Sequence, residues 1–544
     1  MPYGVIRVLP VLLIWVALCA VVSAATGEPV ATVRLASLDR VLQDVDDVGA
    51  LASRPAIPRF VRRLLAVGNE LKGLDFKRPL SLEVYLEPAQ QSPTLRLCLP
   101  VAELKDLRET TGRLQWKWTS IDETNDQVER PGSSRIIHVR REGGWILLSE
   151  SSALVNLGVL KSAQADASTL ADLTVQLRFD AIPPARLQQL VDAFQQQVSR
   201  ERESATDDDR NVQSFRRRVL DLAEQVVTLA INETESYELR LNLAAVQNAE
   251  SRQGILIEQD WRVTPGGELA DELSRLAISS PRFPLSIEQE AAFRAQLAVR
   301  LPEPFREIAA QAVDLGRQAA QRETAQLNVE TRNTLLGMFD SFEGTLDSGH
   351  VEGSLEFLPA GTQQMVLLTG WRLEQGGKLA AALPLLLPEI AKSGDVDSVD
   401  LNVAQLHETN FHRLTDQEQR QFEEQLYGGP ASVFVGAGQD ALWVAMGGDQ
   451  ALTVCESRIG ERGVHDNPGN RLATFEWHLR PWLPFAVATS HERRLVQTLL
   501  DVFSATPDDG VTGELWVHSA GISSRVIVDA PFLIVPAKMI SGGP

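Results

Sequence analysis

Apolar and polar residues alternate at period two in several short runs. Leu82, Val84 and Leu86 alternate with Glu83, Tyr85 and Glu87, and Leu95, Leu97 and Leu99 alternate with Arg96 and Cys98. Tyr237, Leu239, Leu241 and Leu243 alternate with Glu238, Arg240 and Asn242. Neighbouring side chains of a strand point to opposite sides, so each run predicts a strand with one apolar and one polar face. One packed and one wetter face is the habit of antiparallel sheets. The continuous apolar runs of a parallel sheet buried on both faces are mostly missing. Other segments follow helical spacing: Leu187, Leu190, Val191 and Phe194, and again Phe305, Ile308, Ala312 and Leu315. Such stripes mark a helix face that packs on a core. Pro183-Pro184, Pro302, Pro304 and Pro481 enter where these helices begin, a position at which proline loses no needed N–H and presets φ.

The elements come in a recurring order. A strand (Thr32–Leu35, Leu173–Phe179) leads into a helix, then a charged stretch, a second helix and a hairpin. The charged stretches, Ser199–Arg210 with Asp207-Asp208-Asp209 and Gln318–Arg332, read as a solvated helix face or hinge. The second helices are Val212–Leu229 and Thr334–Phe342. Two places continue into a meander: Leu114–Thr119, Arg135–Arg140 and Trp145–Ser149, and Val399–Leu406, Ser432–Gly436 and Ala441–Ala445. Gly143-Gly144 and Gln439-Asp440 supply turn chemistry, and a short helix near Ser152–Lys161 closes the first meander.

Self-comparison organises the chain further. Trp261-Arg262-Val263-Thr264-Pro265-Gly266-Gly267-Glu268-Leu269-Ala270 returns at an offset of 110 residues as Trp371-Arg372-Leu373-Glu374-Gln375-Gly376-Gly377-Lys378-Leu379-Ala380. Val33-Arg34-Leu35 echoes Val299-Arg300-Leu301, Ser81-Leu82-Glu83-Val84 echoes Ser354-Leu355-Glu356-Phe357, Glu123-Thr124-Asn125 echoes Glu408-Thr409-Asn410, and Trp145 echoes Trp443. Those four offsets advance in order: 266, 273, 285 and 298. Val351-x-Gly353-x-Leu355 also recurs as Val511-x-Gly513-x-Leu515. The expectation is an α+β protein of tandem repeats, antiparallel sheets against amphipathic helices, in two similar halves of about 30–282 and 284–540. Each half holds two copies, beginning near residues 31, 172, 295 and 472. The expected division is a signal peptide at 1–24, a unit with a meander at 25–170, a unit at 171–283, a second unit with a meander at 284–465 and a shortened unit at 466–544.

Composition narrows the partners. The 544 residues are 44% hydrophobic and 23% charged, ordinary globular usage with enough apolar mass for a sizeable core. A formal net charge of −20 disfavours nucleic acid or an anionic membrane face as the main partner. Arg7, the apolar run Val8–Val22 and the small residues Val22-Ser23-Ala24 predict an export signal, with an uncleaved N-terminal membrane anchor as the alternative. Export leads to the periplasm or beyond, where disulfides form. Cys98 and Cys455 then remain; two buried free thiols is the favoured reading and a bridge the alternative.

Motifs that carry chemistry are sparse. His407-Glu408-x-x-x-His412 spaces its histidines at i and i+5, which fails the i, i+4 helical face of a zinc peptidase. Asp395-x-Asp397-x-x-Asp400 and Asp44-x-Asp46-Asp47 lack the ligand set of a calcium loop and read as caps and turns. Gly376-Gly377-Lys378 lacks the remaining residues of a phosphate loop, and Gly266-Gly267-Glu268 repeats it without the lysine, so both read as turns entering a helix. Trp116 and Trp118 share a strand face, and Trp371, Trp477 and Trp482 accompany Arg372, His478 and Arg480; they read chiefly as core mass, with an aromatic platform for sugar or peptide as the alternative. Asn232-Glu233-Thr234 has the form of a glycosylation sequon. No catalytic residue is assigned, and neither a metal nor a cofactor is expected.

The signal segment, the Leu74-Asp75 to Arg78-Pro79-Leu80-Ser81-Leu82 stretch, the Gly143-Gly144-Trp145 hairpin and the repeated units resemble exported proteins of planctomycete-type bacteria. The resemblance covers most of the chain in layout and implies export. That group has no assigned activity, so no functional residue carries over. The expected function is a non-catalytic exported repeat protein that binds a partner (a protein, a glycan or an apolar ligand) or organises a surface at the envelope. The alternatives are a hydrolase with a cleft between domains and a carrier of an apolar ligand.

Overall fold

The computed structural model describes residues 28–51, 72–86, 93–113, 115–133, 135–159, 171–204, 210–247, 252–283, 291–360, 364–393, 396–415, 426–429, 431–461, 463, 467, 469–483, 497, 499–500, 503 and 509–532. The signal segment at 1–24, Asp395 and Asp207-Asp208-Asp209 lie outside the described residues. The chain divides into two compact units. One holds the described residues up to Gln197 together with Val227–Thr264; the other holds Val198–Val226 and the described residues from Pro265 onward.

The strands of the first unit are β1 (Ala31–Leu35), β2 (Leu80–Tyr85), β3 (Thr94–Pro100), β4 (Lys117–Ser120), β5 (Asn125–Glu129), β6 (Ile136–Glu142), β7 (Trp145–Ser149), β8 (Leu173–Arg178), β9 (Thr234–Gln247) and β10 (Arg252–Val263). They pair in the order β10-β9-β8-β1-β2-β3-β7-β6-β5-β4, every pair antiparallel. Helices α1 (Leu38–Leu51), α2 (Leu104–Arg113) and α3 (Ser152–Val155) connect them, and between β8 and β9 run α4 (Pro184–Ser204) and α5 (Arg210–Glu233), whose Val198–Val226 stretch belongs to the second unit. Pro184 opens α4, as expected of proline at a first helical position. On one face of β3 and β7 to β5, α2 sets Leu107 against Val128, Val139, Ile146 and Leu148. On the other face Cys98, Trp145 and Leu147 pack with Val155 of α3. Arg78 lies 4.5 Å over the Trp145 ring and donates to Gly144 O at 3.3 Å, so the Arg78 and Gly143-Gly144-Trp145 stretches meet in space.

The second unit holds α6 (Glu268–Ser274), β11 (Phe293–Arg300), α7 (Glu303–Glu323), α8 (Val329–Ser348), β12 (His350–Pro359), β13 (Met365–Arg372), α9 (Gly376–Ser393), β14 (Ser398–Leu406), β15 (Thr409–Thr415), β16 (Ser432–Ala437), β17 (Ala441–Gly447), α10 (Ala451–Gly460), β18 (Arg471–His478), β19 (Gly510–His518) and β20 (Gly521–Asp529). Its order is β20-β19-β18-β11-β12-β13-β17-β16-β15-β14, again antiparallel throughout. Counting strands from the start of each unit, the two orders are the same. Asn328 caps α8 by accepting from Thr331 N at 2.9 Å, and Gly349 ends it in the left-handed conformation that glycine adopts without penalty. Helix α10 and Phe283 build a core on one face with Val366, Leu368, Phe411, Phe434 and Trp443. Helix α9 covers β14 to β17 on the other through Leu379, Leu383 and Leu387.

Two expectations need correction. Each meander has four strands rather than three. β5 escapes the periodicity because Asn125-Asp126-Gln127-Val128-Glu129 holds a single apolar residue. Asp126 is nevertheless buried there, held by Arg108 at 2.7 Å and Arg141 at 3.4 Å. β15 is its equivalent in the second unit. The polar face of the central strands is also not the wetter one. Ser81, Glu83, Tyr85, Arg96 and Cys98 are buried, while Leu82, Val84 and Leu97 on the opposite face are half-exposed and Leu95 is exposed.

Candidate functional site

The buried polar face is an ion-pair core. In the first unit Glu83 faces Arg96 across the β2–β3 ladder, and both side chains are 0% exposed. Arg96 Nε donates to Glu83 Oε2 at 2.6 Å, and its Nη1 donates to Leu154 O at 3.0 Å and Gly158 O at 2.9 Å, reaching past α3. Tyr85 Oη donates to Glu83 Oε2 at 2.9 Å and Ser81 Oγ to Oε1 at 3.3 Å. Burial, and then the Glu83 charge, raise the Tyr85 hydroxyl and push the Cys98 thiol up to about 12. The thiol and phenol beside the carboxylate are thus held in their protonated forms as partners of one ion pair.

The second unit solves the same problem with different residues. Glu356 stands opposite Leu368 on β13 rather than an arginine. Its charge is met by Arg294 from β11 at 3.1 Å and Arg458 from α10 at 3.2 Å. Arg294 also reaches Glu476 on β18 at 2.5 Å. Glu352 is held by Arg372 and accepts from Arg282 N at 2.6 Å. Burial, followed by the Arg372 charge, holds His350 below the ordinary histidine range. At the end of β18, His478 Nδ1 lies 2.9 Å from Asp509 Oδ1, and Arg480 N donates to Asp509 Oδ2 at 2.7 Å. Burial pushes the Asp509 carboxyl up, but the His478 and Arg480 hydrogen bonds outweigh it and leave it below its usual value.

The sequence motifs separate in space or serve as structure. His407 and Glu408 are exposed in the β14–β15 turn, whereas His412 is buried and accepts from Asn402 N at 3.1 Å. Burial lowers His412, which fits the neutral ring that this bond requires. Asp400 pairs with Arg413, and Asp44, Asp46 and Asp47 lie on α1. Gly376-Gly377 opens α9 and Gly267 caps α6; Lys378 pairs with Asp340 at 2.7 Å. Trp118 donates to Thr111 Oγ1 at 2.9 Å, and Trp482 stacks on Phe357 at 4.6 Å. Cys98 and Cys455 are free and buried, and burial pushes Cys455 up to about 12 as well. Among the described residues no group of three or more His, Cys, Asp or Glu side chains is arranged to hold a metal. Among them, too, no helix is long and apolar enough to cross a membrane.

Among the described residues, the second unit keeps several large side chains on the apolar face of its central strands partly exposed. Phe475 on β18, Ala295 on β11 and Leu355 on β12 lie opposite one another in one row. Ala473, Leu297, Gly353 and Trp371 form the next row. Trp477, whose ring meets Phe532 at 5.6 Å, and Phe293 continue on the other side, where the row ends against buried Phe357. Trp371 is 41% exposed, Trp477 39%, and Phe475 and Leu355 37% each, values far above those of core residues. Phe293, Ala295, Leu297 and Ala473 are half-buried. The Trp371 ring lies over Gly353, where a Cβ would come within 2.5 Å of it, and Phe475 lies over Gly513 in the same way. The recurring Val-x-Gly-x-Leu pattern therefore carries a shared device, a glycine that lets a neighbouring ring lie flat. That pattern was the sequence signal for this face; Phe475 itself gave none. No protein family, curated protein or solved structure matches this chain.

Proposed function

We propose that this is an exported, non-catalytic repeat protein that binds an apolar ligand on the open sheet face of its second unit. One observation carries the reading: four large apolar side chains, Leu355, Trp371, Phe475 and Trp477, stand more than a third exposed on one sheet face. Contiguous exposed apolar surface of this kind marks binding rather than folding. The central charged residues, by contrast, are consumed in buried pairs, which supports binding over turnover. The common strand order supports descent from a duplicated block. Within each unit the strands β3-β2-β1 and β8-β9-β10, or their counterparts, meet along one central pair, which supports the finer division into copies beginning near residues 31, 172, 295 and 472. Export rests on residues 1–24 and on the resemblance to planctomycete-type exported proteins.

The test titrates the full chain with the apolar fluorophore N-phenyl-1-naphthylamine and compares it with the Trp371→Ser/Phe475→Ser variant. Losing two ring contacts, each worth roughly 1–2 kcal/mol of apolar burial, should weaken probe binding on the order of tenfold or more. The thermal midpoint should change little, because both rings are already partly in water. Equal affinity in the two proteins would remove the reading.

A further inference from the structure

A second device stands in the first unit, at the ends of β8 and β9. Asp172, the residue before β8, is buried, and its side chain ties three elements together. Arg40 Nε of α1 lies 2.7 Å from its Oδ1, and Leu243 N of β9 donates to its Oδ2 at 2.5 Å. Ala36 N, just ahead of α1, donates to the Asp172 carbonyl at 3.0 Å. One turn beyond Arg40 the half-buried Asp44 turns its carboxyl toward Asp172. Asp44 Oδ2 is shielded from water and meets no N–H or O–H donor among the described residues. Asp172 Oδ1 is likewise buried without a hydrogen bond, meeting Arg40 only as an ion pair, and two neighbouring carboxyl groups that each hold such an oxygen are satisfied when a single proton lies between them.

We infer that Asp44 and Asp172 share a proton in a carboxyl–carboxylate clasp, supported by Arg40, that holds α1 to the β8–β9 end of the sheet at acidic and neutral pH and releases it above neutrality. The charged groups bearing on Asp44 are Asp172, just ahead of β8, and Arg40 and Asp47 from its own helix; β9 contributes the Leu243 amide through Asp172. Burial, then the Asp172 charge, push the Asp44 carboxyl up to about 7 against the opposing pull of Arg40. The folded-state value lies above the unfolded one, so the clasp is fully formed below the ordinary aspartate range and lost as pH rises through about 7. Loss of the proton places two like charges together, with one arginine to balance both.

The experiment is hydrogen exchange of the full chain, read by mass spectrometry over Leu38–Leu51 and corrected for intrinsic rates. Between about pH 5.5 and pH 8.5 protection of α1 in the wild-type chain should fall roughly tenfold, while the rest of β8 and β9 holds. Asp44→Asn keeps an N–H donor toward Asp172 and cannot ionise, so its α1 should stay protected at both values. Unchanged wild-type protection, or an Asp44→Asn profile that tracks wild type, overturns the clasp. Infrared spectroscopy of the wild type decides the matter should Asp44→Asn not fold. A protonated-carboxyl stretch that disappears near neutrality and is missing in Asp172→Asn supports the clasp, and its absence from the wild type refutes it.

Discussion

Replacing Arg96 with methionine tests the ion-pair core directly. The substitution keeps an unbranched side chain of similar reach and removes the guanidinium. Glu83 is then left buried with its charge unpaired, and the Leu154 and Gly158 carbonyls lose their donor. Breaking a buried pair from one side costs about 3–5 kcal/mol, and each orphaned carbonyl adds roughly 1 kcal/mol where water does not reach it. A loss of about 4–7 kcal/mol lowers the folded-to-unfolded ratio by roughly three to five orders of magnitude. Glu83→Gln/Arg96→Met removes both charges, and should recover at least about 2 kcal/mol of that loss, because no ion is left stranded. Urea unfolding followed by circular dichroism measures both variants, with the transition of the first unit as the readout and its m-value as a check on the reference state. The stranded carboxyl also takes up a proton readily, so the single variant's deficit should shrink as pH falls from about 8 to 5. A single variant within about 1 kcal/mol of wild type, or a double variant no better than the single, would refute the assignment of Glu83–Arg96 as a sealed pair.

Two further outcomes follow from the same burial and hydrogen-bond pattern. Cys98 and Cys455 are buried with their thiols pushed up to about 12, so neither should react with a disulfide reagent in the native chain at mildly alkaline pH, and both should react at once in guanidinium. Asp122 in the β4–β5 turn accepts from Asn125 Nδ2 at 2.8 Å, Thr124 N at 2.7 Å and Asn125 N at 2.8 Å, and these bonds, the Asn125 side chain first, hold it down to about 2. A depressed carboxylate gives protection that is present above the ordinary aspartate range and lost as pH falls through about 2; Asp122→Ala should therefore speed exchange of the Thr124 and Asn125 amides at mildly acidic pH and make no difference at the bottom of the titration.

The alternations and helical stripes were legible because they answer to local geometry. The Glu123-Thr124-Asn125 and Glu408-Thr409-Asn410 echo falls at the β4–β5 and β14–β15 turns, and the Gly266-Gly267 and Gly376-Gly377 echo falls where a strand turns into a helix. The burial of the two faces was not legible. Glu83 and Arg96 look like solvated residues until the β2–β3 register sets them side by side, and register is a property of two strands. The partly exposed face was legible only in fragments, as Trp371, Trp477 and the Val-x-Gly-x-Leu pattern, for the same reason. Trp371 and Leu355 are near neighbours in space only once β12 and β13 are paired, and Phe475 joins them only through β18 and β11. The Asp44–Asp172 contact spans 128 residues, beyond any pattern along the chain.

The irregular stretch of β14 has a consequence for how copies of this chain behave in company. Among the described residues β14 pairs only with β15, so its other side is a free ladder. Between Asp400 and Ala404 the ladder is broken: Asn402 takes a left-handed conformation and gives its N–H to the side chain of the buried His412 on β15 rather than to a backbone carbonyl. A visiting strand from another molecule finds no unbroken template on which to zip up. An interrupted edge of this kind disfavours strand-on-strand pairing between molecules, and here its anchor is the His412 ring. Acid strong enough to protonate His412 would take that anchor away and leave a straighter, stickier border exposed.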